Sequence, residues 1–518
     1  MRFEIIFVTL FSVAAAVALI ARWLKVPYTI ALVVAGLLLG TAHALEPPHL
    51  TKHLLFTVFL PGLIFEAAFH LDFNRFWRNK LAISALAVPG LVASIALTAL
   101  LFLPAAHAFH FIDGLRLEHA LVFAALISAT DPIAVVALFK RLGVPKRLSL
   151  LIESESLLND GTAVVLFTLV LAYINGQEMS ALGALIDFIR VVGIGALIGI
   201  AIGVAASKVI QRVDDPMIEI TLTTIAAYGS FILAESLHSS GIIATVAAGM
   251  LCGNYGARTG MTPTTRFAVE TFWEYVAFAL NSIVFLLIGF EVRITSLLHS
   301  LPAILFAYLS VTLVRTGVVF LISLFLRRSA ERIPWSWSVV LTWGGLRGGL
   351  SMVLVLALAP DFPMRSALVT ITFGVVILSI LIQGLSMSPL LRWMGLFGKK
   401  KEQVAYEIQR SILRAKTAAL QDLDGLQAAG ALHADTVKLL REEYATELAQ
   451  AERAMRDLHI QAADLQRDEL DAARRQLILV EKSTVLDARQ KGLISQDAFD
   501  QLLASVNLRL VRLEKDGA

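Results

Sequence analysis

The chain has 518 residues, of which 57% are hydrophobic and 16% charged, and its mean hydropathy is +0.73. A chain this apolar cannot hide its hydrophobic surface inside a water-soluble fold, so the composition indicates a polytopic membrane protein. The net charge of +3 gives no reason to expect a nucleic-acid partner. The single cysteine, Cys252, excludes an internal disulfide and any multi-cysteine metal site.

Thirteen segments meet the requirement of about 20 mainly apolar residues for a membrane-crossing helix. The ninth is the shortest, so a count of twelve or fourteen stays open. The predicted spans are residues 3-22, 27-45, 53-70, 81-104, 118-140, 147-174, 184-207, 217-237, 240-254, 268-291, 299-326, 336-359 and 365-394.

The connections between these spans differ in their content of Lys and Arg. Connections that follow odd-numbered spans, together with the start of the tail, carry 20 such residues, whereas those that follow even-numbered spans carry 4. Basic residues concentrate on the cytoplasmic side of membrane proteins. We therefore expect a cell-membrane protein, inner in a bacterium, with its N-terminus outside and its C-terminal tail in the cytoplasm.

The last part of the chain has a different composition. Residues 399–518 hold 39 of the 85 Lys, Arg, Asp and Glu residues and lack long apolar runs. Leucines among mixed charges predict amphipathic helices over 402-429, 435-490 and 496-515, and whether one break divides the second segment stays open. We expect a transmembrane domain at 1-398 and a helical tail at 399-518 that serves assembly or regulation.

Span 5 contains an acid directly before a proline, in the string Thr130-Asp131-Pro132. Proline removes a backbone donor and disfavours helical geometry at the preceding residue, so the helix should break there. Non-helical backbone at membrane depth is tolerated where it lines a cavity or packs in protein, and transporters use it to coordinate ions. A simple kink with a buried, hydrogen-bonded carboxylate is the alternative.

Span 6 carries Ser156 and Asp160 four residues apart, so both side chains share one face of the helix. Asn159 lies beside them and can orient a neighbouring carboxylate without adding charge. Asp131, Asp160, Ser156 and Thr130, with water, offer the several oxygens that a hard cation such as sodium prefers. A divalent ion or a transition metal fits less well, because no His or Cys joins the group.

Span 12 surrounds Arg347 with four glycines, which predicts close helix contact or a second broken helix. A buried arginine must be paired, and the candidates are Glu153 and Glu155. We predict that Arg347 pairs with Glu155 and holds crossing helices in register. Arg315 in span 11 also needs an acidic partner, which the sequence does not identify.

Glu66 in span 3 is a further deep acid that can reach the cavity through water. Each unpaired charge at this depth costs about 3 kcal/mol, so the acids must pair with bases, bind protons or bind a cation. Five deep acids face one assigned arginine, and such a site can exchange a proton for a metal ion. For ionisable residues near span ends, interface solvation is sufficient and no special role is predicted: Asp187, Glu235, Glu291, His70 and His238.

Several of these strings together resemble the monovalent cation/proton antiporters of the NhaP and mammalian sodium/proton exchanger type. The resemblance covers residues 3 to 395 in order and spacing, and the tail resembles no family that we can name. The strings are Phe65-Glu66-Ala67, Ala129-Thr130-Asp131-Pro132, Glu155-Ser156-Leu157-Leu158-Asn159-Asp160-Gly161 and Gly344-Gly345-Leu346-Arg347-Gly348.

The resemblance implies an all-α fold with a dimerisation part and a moving core, in which spans 4-6 and 11-13 form inverted repeats and broken helices 5 and 12 cross. It also implies a homodimer that needs no cofactor and has membrane lipid, a monovalent cation and a proton as partners. Asp160 matches the main ion- and proton-binding carboxylate of the family. Asp131, Ser156 and Thr130 match the cation ligands of the family. Glu155 and Arg347 match its stabilising ion pair.

Two further positions are carried over from the resemblance. Glu66 matches a water-linked contributor, and Asn159 matches the neutral residue of the electroneutral exchangers. The expected function is secondary antiport of Na+, or of Li+ or K+, against H+, with no enzymatic activity. A K+/H+ antiporter, a gated cation channel and an ion sensor with a signalling tail remain the alternatives.

Overall fold

The fold is taken from a computed structural model that describes residues 3–24, 28–41, 55–108, 114–176, 180–291, 294–396, 401–428, 434–461, 463–490, 493–495, 498–499, 501–506 and 509. Every regular element within these ranges is helical. The residues divide into a membrane unit and a tail unit. The C-terminal predicted helix, 496-515, lies largely outside the described residues.

The membrane unit contains twenty described helices, whose bounds follow. They are α1 (Phe3–Leu24), α2 (Tyr28–Thr41), α3 (Leu60–His70), α4 (Phe73–Arg78), α5 (Lys80–Ala87), α6 (Pro89–Ala108), α7 (Leu117–Ser128), α8 (Ile133–Leu142), α9 (Lys146–Ile174), α10 (Ala181–Ile210), α11 (Pro216–Ser236), α12 (Gly241–Leu251), α13 (Ala257–Thr259), α14 (Pro263–Glu291), α15 (Ile294–His299), α16 (Leu301–Phe325), α17 (Trp335–Gly344), α18 (Gly349–Leu356), α19 (Arg365–Leu378) and α20 (Gly384–Trp393).

Each of the thirteen predicted spans has a helical counterpart among the described residues. Eight helices are long and apolar enough to cross a membrane, and α17 with α18 forms a ninth span that bends by 43°. Three shorter apolar helices match spans 1 to 3. Span 9 corresponds to α12, which has 11 residues and continues through a π-helical turn at Cys252–Gly256.

The helices of the membrane unit pack in two groups. The scaffold group consists of α1 to α3 and α10 to α14, in which α2 packs on α14 and α12 packs between α3 and α10. The core group consists of α5 to α9 and α16 to α20, in which α6 packs against α7 and α16. The core group contains spans 4-6 and 11-13, the segments that the resemblance expects to move.

Predicted span 4 is divided by Pro89 into α5 and α6. Proline supplies no N–H and its ring disturbs the preceding turn, so the helical hydrogen bonds are interrupted around Pro89. The hydroxyl of Thr162 on α9 donates to the carbonyl oxygen of Ala87 at 2.8 Å. The kink is thus stabilised by the helix that carries the candidate site residues.

A set of polar contacts fixes the end of α3 that is predicted to face the cytoplasm. Asp72 accepts from the backbone N–H of Arg75 at 3.1 Å and pairs with Arg258 at 2.9 Å. Partial burial acts to raise the pKa of Asp72, but these two partners outweigh it and hold the pKa below its usual value. Asn254 also donates to the carbonyl of Leu71 at 2.8 Å. The position of α3, and of Glu66 on it, is therefore defined by the scaffold group.

The tail unit has three long helices, α21 (Lys401–Ala428), α22 (Ala434–Gln461) and α23 (Ala463–Gln490). Opposite charges join α21 to α22 through Arg441 with Asp424 at 2.5 Å and through Lys416 with Glu447. The predicted segment 435-490 corresponds to α22 and α23, and Ala462 between them lies outside the described residues. The expectation of helices with mixed charges is confirmed for the first two segments.

Candidate cation-binding site

The two broken spans of the core group meet at their non-helical segments. Residues 129–132 separate α7 from α8, and residues 345–348 separate α17 from α18. The N–H of Asp131 donates to the carbonyl oxygen of Leu346 at 2.8 Å. Each break thereby satisfies a backbone group of the other, which is the condition for irregular backbone inside a membrane.

Asp131 lies at the start of α8. Its Oδ1 accepts from the N–H of Ile133 at 3.0 Å, so the carboxylate caps this helix. The N–H of Gly349 at the start of α18 also interacts with this carboxylate. Two helix N-termini stabilise a negative charge here.

Span 6 packs against the first break through Ser156 and Asn159, both at most 2% exposed. The Ser156 hydroxyl donates to the carbonyl oxygen of Thr130. The Asn159 Nδ2 donates to the carbonyl of Ser128 and to the hydroxyl of Thr130, each at 3.2 Å. The amide of Asn159 thus holds the unwound backbone in place, and its own Oδ1 accepts no hydrogen bond from the part of the chain that the structure describes.

Asp160 faces the same region one helical turn beyond Ser156. Its Oδ1 is buried and accepts no hydrogen bond from the described residues. The carboxylates of Asp131 and Glu155 are near enough to interact with it electrostatically. A carboxylate in this position requires a proton or a cation to offset its desolvation.

The prediction that Glu155 pairs with Arg347 is wrong. Glu155 accepts two hydrogen bonds from Arg315, one to each carboxylate oxygen and each 3.0 Å long. The side chains of Arg315 and Glu155 are 11% and 3% exposed, so the pair is buried. The sequence does not indicate this pairing directly, because α9 and α16 meet only in the tertiary structure. The one hint in the sequence is that Arg315 in span 11 needs an acidic partner and has none assigned.

Arg347 donates a hydrogen bond to the carbonyl end of a helix and not to a carboxylate. Its NH1 donates to the carbonyl oxygen of Ser128 at 2.8 Å, at the C-terminus of α7, where a positive charge is favourable. Its backbone N–H donates to the hydroxyl of Ser379 at 2.9 Å. Ser379 begins a π-helical turn, Ser379–Gln383, that sequence reasoning did not predict.

The glycines around Arg347 are required by close contacts. A Cβ on Gly345 would lie 2.2 Å from Nε of Arg315, and a Cβ on Gly348 would lie 2.1 Å from Cβ of Asp131. Any larger residue would displace one of these charged side chains. The glycine-rich string therefore serves the approach of the two breaks, as the close-contact interpretation predicts.

The deep cluster is defined here as Asp131, Glu155, Asp160, Arg315 and Arg347. The cluster holds three carboxylates and two guanidinium groups, so its formal charge is −1 when all five are ionised. The excess of acids over bases is thus smaller than the sequence alone indicated, because Arg315 joins the cluster and because Glu66 and Glu153 lie elsewhere.

Asp131 and Asp160 line a cavity of about 320 Å³ between the scaffold and core groups. The scaffold side is formed by α3 and by Asn281 and Phe285 of α14. The mouth cluster is defined here as Glu66 and His70 of α3, Lys140 of α8 and Glu153 of α9, which line the same cavity. Ser149 donates to Glu153 at 3.0 Å.

The chemistry of the deep region is that of oxygen ligands. Among the described residues, no group of three or more His, Cys, Asp or Glu side chains is arranged to hold a metal ion. Asp131, Asp160, Ser156 and Thr130 line the cavity and supply two carboxylates, one hydroxyl and one backbone carbonyl. This set suits a proton or a monovalent cation better than a multiply charged one.

The fold and this site define a class of protein. Membrane helices that break and cross beside buried carboxylates, next to a cavity between two helix groups, are the architecture of secondary transporters. A family model described as sodium/hydrogen exchanger, transmembrane, matches residues 8–393.

The match and its relatives show that the chain belongs to the sodium/hydrogen exchanger family. It is 32% identical to the Na+/H+ antiporter NhaG of Bacillus atrophaeus, over 97% of this chain and 96% of that protein. It is 38% identical to the low-affinity Na+/H+ antiporter NhaS1 of Synechocystis, over 81% and 80% of the two chains.

A solved structure shares the fold. The sodium proton antiporter MjNhaP1 of Methanocaldococcus jannaschii superposes with a TM-score of 0.63 at 18% identity. The alignment covers 76% of this chain and 100% of that one. The resemblance inferred from the sequence motifs is thereby confirmed at the level of family and fold.

Proposed function

We propose that the protein is a secondary antiporter that exchanges a sodium ion for a proton. The family membership and the names of the relatives support this reaction. The single observation that carries it is the composition of the deep cluster, in which three carboxylates outnumber two guanidinium groups by one. Binding of one proton or one Na+ makes the cluster neutral. When neither ion is bound, one negative charge is left without compensation.

Asp160 is the residue for which the two ions compete in this proposal. Its buried Oδ1 accepts no hydrogen bond from the described residues. Asp131, the Ser156 hydroxyl and the Thr130 carbonyl complete the cation ligands. Asn159 orients the Thr130 segment, and Glu66 contributes through water and not as a ligand.

Transport requires alternating access, and the cavity indicates which surfaces move. Its walls come from the scaffold group on one side and from the core group on the other. We infer that the core group moves against the scaffold group and carries Asp131 and Asp160 with it. The two breaks and the Glu155–Arg315 pair lie within the core group, so they move as one unit.

We place the protein in the cell membrane, with its tail in the cytoplasm, because the charge asymmetry of the connections supports this orientation. The orientation is tested by adding a cysteine to an exposed connection and measuring whether it is labelled in intact cells. Labelling of the tail in intact cells would contradict the orientation.

We also propose that the protein is a homodimer, as the resemblance implies. Only 17% of the residues in the most apolar stretch of the long helix α10 are buried, which is the lowest share among the eight long spans. Exposed apolar residues such as Leu185, Ile189 and Leu197 must contact either lipid or a second subunit. Native mass spectrometry from detergent would separate the two possibilities.

The central test is the variant Asp160→Asn in proteoliposomes that contain a pH-sensitive dye. We expect Na+-driven proton movement to be abolished, because an amide cannot exchange a proton for a cation at this position. Asp361→Asn, an exposed acid in the connection after α18, is the matched control and should keep full exchange. Full activity of Asp160→Asn would remove this residue from the central role.

The same assay distinguishes the other candidate functions. Replacing Na+ by Li+ or K+ gives the cation preference, and exchange with K+ alone would favour a K+/H+ antiporter. A gated channel would move cations without counter-movement of protons. An ion sensor would bind the cation without transporting it.

A further inference from the structure

Apart from the water-mediated contribution proposed for Glu66, the exchange site does not use the mouth cluster, which places four ionisable side chains on the wall of the cavity that Asp160 also lines. Two of them, Glu66 and His70, belong to the scaffold group, and the other two, Lys140 and Glu153, belong to the core group. Any cation that reaches the deep cluster through this cavity passes their combined field.

His70 and Glu66 form a defined pair. His70 Nδ1 lies 3.0 Å from the carbonyl oxygen of Glu66 and 3.2 Å from its carboxylate Oε1. Both neighbours are acceptors, so Nδ1 carries a hydrogen in the neutral imidazole as well as in the imidazolium. A second proton is therefore taken up at Nε2, and the contact with Glu66 remains intact.

The pair is accessible to water, since the side chains of His70 and Glu66 are 27% and 25% exposed. The charged groups that face it from the neighbouring elements are Lys140 on α8 and Glu153 on α9, and both interact electrostatically with His70. Phe69 packs edge-on against the imidazole. Solvent can thus protonate His70 while the protein keeps it in place.

The net charge of the mouth cluster changes by one unit when His70 takes up a proton. Two carboxylates and one ammonium give a net charge of −1 when the imidazole is neutral, and a net charge of zero when it is protonated. Histidine is the side chain whose ordinary pKa lies in this range. A negative cavity mouth raises the local cation concentration, and a neutral one does not.

We propose that His70 sets the apparent affinity for the transported cation by switching the charge of the mouth cluster. In this proposal His70 acts through the net charge of the mouth cluster and does not touch the bound ion. Acidification lowers cation affinity in two separable ways, by proton competition at Asp160 and by loss of the attractive field at the mouth. The inference rests on the proposed exchange of Na+ for H+.

The test is the apparent KM for Na+ of exchange in everted vesicles, where the cytoplasm-predicted mouth faces the added sodium. His70→Gln keeps the mouth negative at every pH, and His70→Lys keeps it neutral at every pH. His299→Gln, an exposed histidine at the end of α15, is the matched control and should follow the wild type. The pH is varied from about 6 to about 8.5, across the ordinary pKa of histidine.

At the alkaline end the wild type should match His70→Gln, and at the acidic end it should match His70→Lys. One partly screened charge on the cavity wall should change the apparent KM about three- to fivefold. The difference should vanish at an ionic strength of about 1 M, where the Debye length is about 3 Å. Glu153→Gln should raise KM at all pH values and lose its effect under the same salt conditions.

Two results would overturn the proposal. One is an identical KM for the wild type and both His70 variants at every pH in low salt. The other is a difference that persists at high salt, which would mean that His70 acts by packing. If the wild type itself shows no sodium-dependent proton movement, the proposed exchange fails, whereas exchange that is lost in Asp160→Asn but insensitive to His70 rejects the present proposal alone.

Discussion

Glu155 and Arg315 show how single residues decide the electrostatics of this protein. Two parallel hydrogen bonds of 3.0 Å join them in a nearly water-free environment. Arg315 also donates to the carbonyl of Leu341 at 3.0 Å, which links the pair to the first half of the second broken span. Removal of one partner would leave a buried charge without compensation, and this is far more costly than removal of both.

We therefore expect a non-additive result from a double-mutant cycle. Glu155→Gln and Arg315→Met should each destabilise the protein by about 3–5 kcal/mol, and the double variant should be less destabilised than the sum. Thermal unfolding in detergent measures the effect as a shift of Tm.

Arg347→Met is the control for this cycle, because Arg347 donates to the carbonyl of Ser128 and not to Glu155. Its combination with Glu155→Gln should be closer to additive. Stronger coupling of Glu155 to Arg347 than to Arg315 would contradict the pairing described above.

At the scale of elements, the two broken spans depend on each other. The bond from Asp131 N–H to the Leu346 carbonyl joins the breaks, and Ser379 of the following span binds the N–H of Arg347. Pro132 accounts for one break, and the glycines from Gly344 to Gly349 permit the other. The crossing then places Asp131 against Gly348 with no room for an intervening atom.

Gly348→Ala tests this crossing. A new Cβ would lie 2.1 Å from Cβ of Asp131, so the carboxylate must move away from its position in the proposed cation site. We expect exchange to fall by about tenfold or more, with a stability loss of about 1–3 kcal/mol from overpacking. Dye-reported exchange and Tm measure the two effects separately.

Gly317→Ala in α16 is the matched control, since a Cβ there meets no atom within 4 Å. Its expected effect is a gain of about 0.5–1 kcal/mol from helix propensity, with exchange unchanged. Equal behaviour of the two alanine variants would show that the close approach at Gly348 is unimportant.

At the scale of the whole molecule, the two groups of helices have different tasks. The scaffold group fixes α3, with Glu66 and His70, through the contacts of Asp72 and Asn254. The core group carries every member of the deep cluster. In the mechanism proposed above, this division separates the attraction of a cation at the mouth from its binding at Asp160.

The charge of the deep cluster predicts electroneutral exchange. In the proposed exchange, one proton and one Na+ each bring the cluster to the same charge, so we expect equal charge to be carried in both directions. A sodium jump on protein adsorbed to a solid-supported membrane should therefore give no transporter-dependent current while the dye reports proton movement. A sustained current would require a different stoichiometry or a conducting pore.

Much of this architecture is fixed by local chemistry and could be predicted from the sequence. Apolar length predicted the thirteen spans, Pro132 and the glycines around Arg347 predicted the breaks, and the cost of burying charge identified Asp131 and Asp160 as candidates. These features depend on residues that are adjacent in the chain, so periodicity and composition contain them.

The pairing of the charges was decided only by the tertiary structure. Arg315 and Arg347 are equally basic and equally deep in the sequence, but the crossing of α9 with α16 brings Arg315 to Glu155, while the end of α7 takes Arg347. The same holds for His70, which lies at a predicted span end and gains importance only because α3 turns it toward the cavity. Electrostatic interactions act over a few ångströms in space, and the sequence does not specify which distant helices come within that distance.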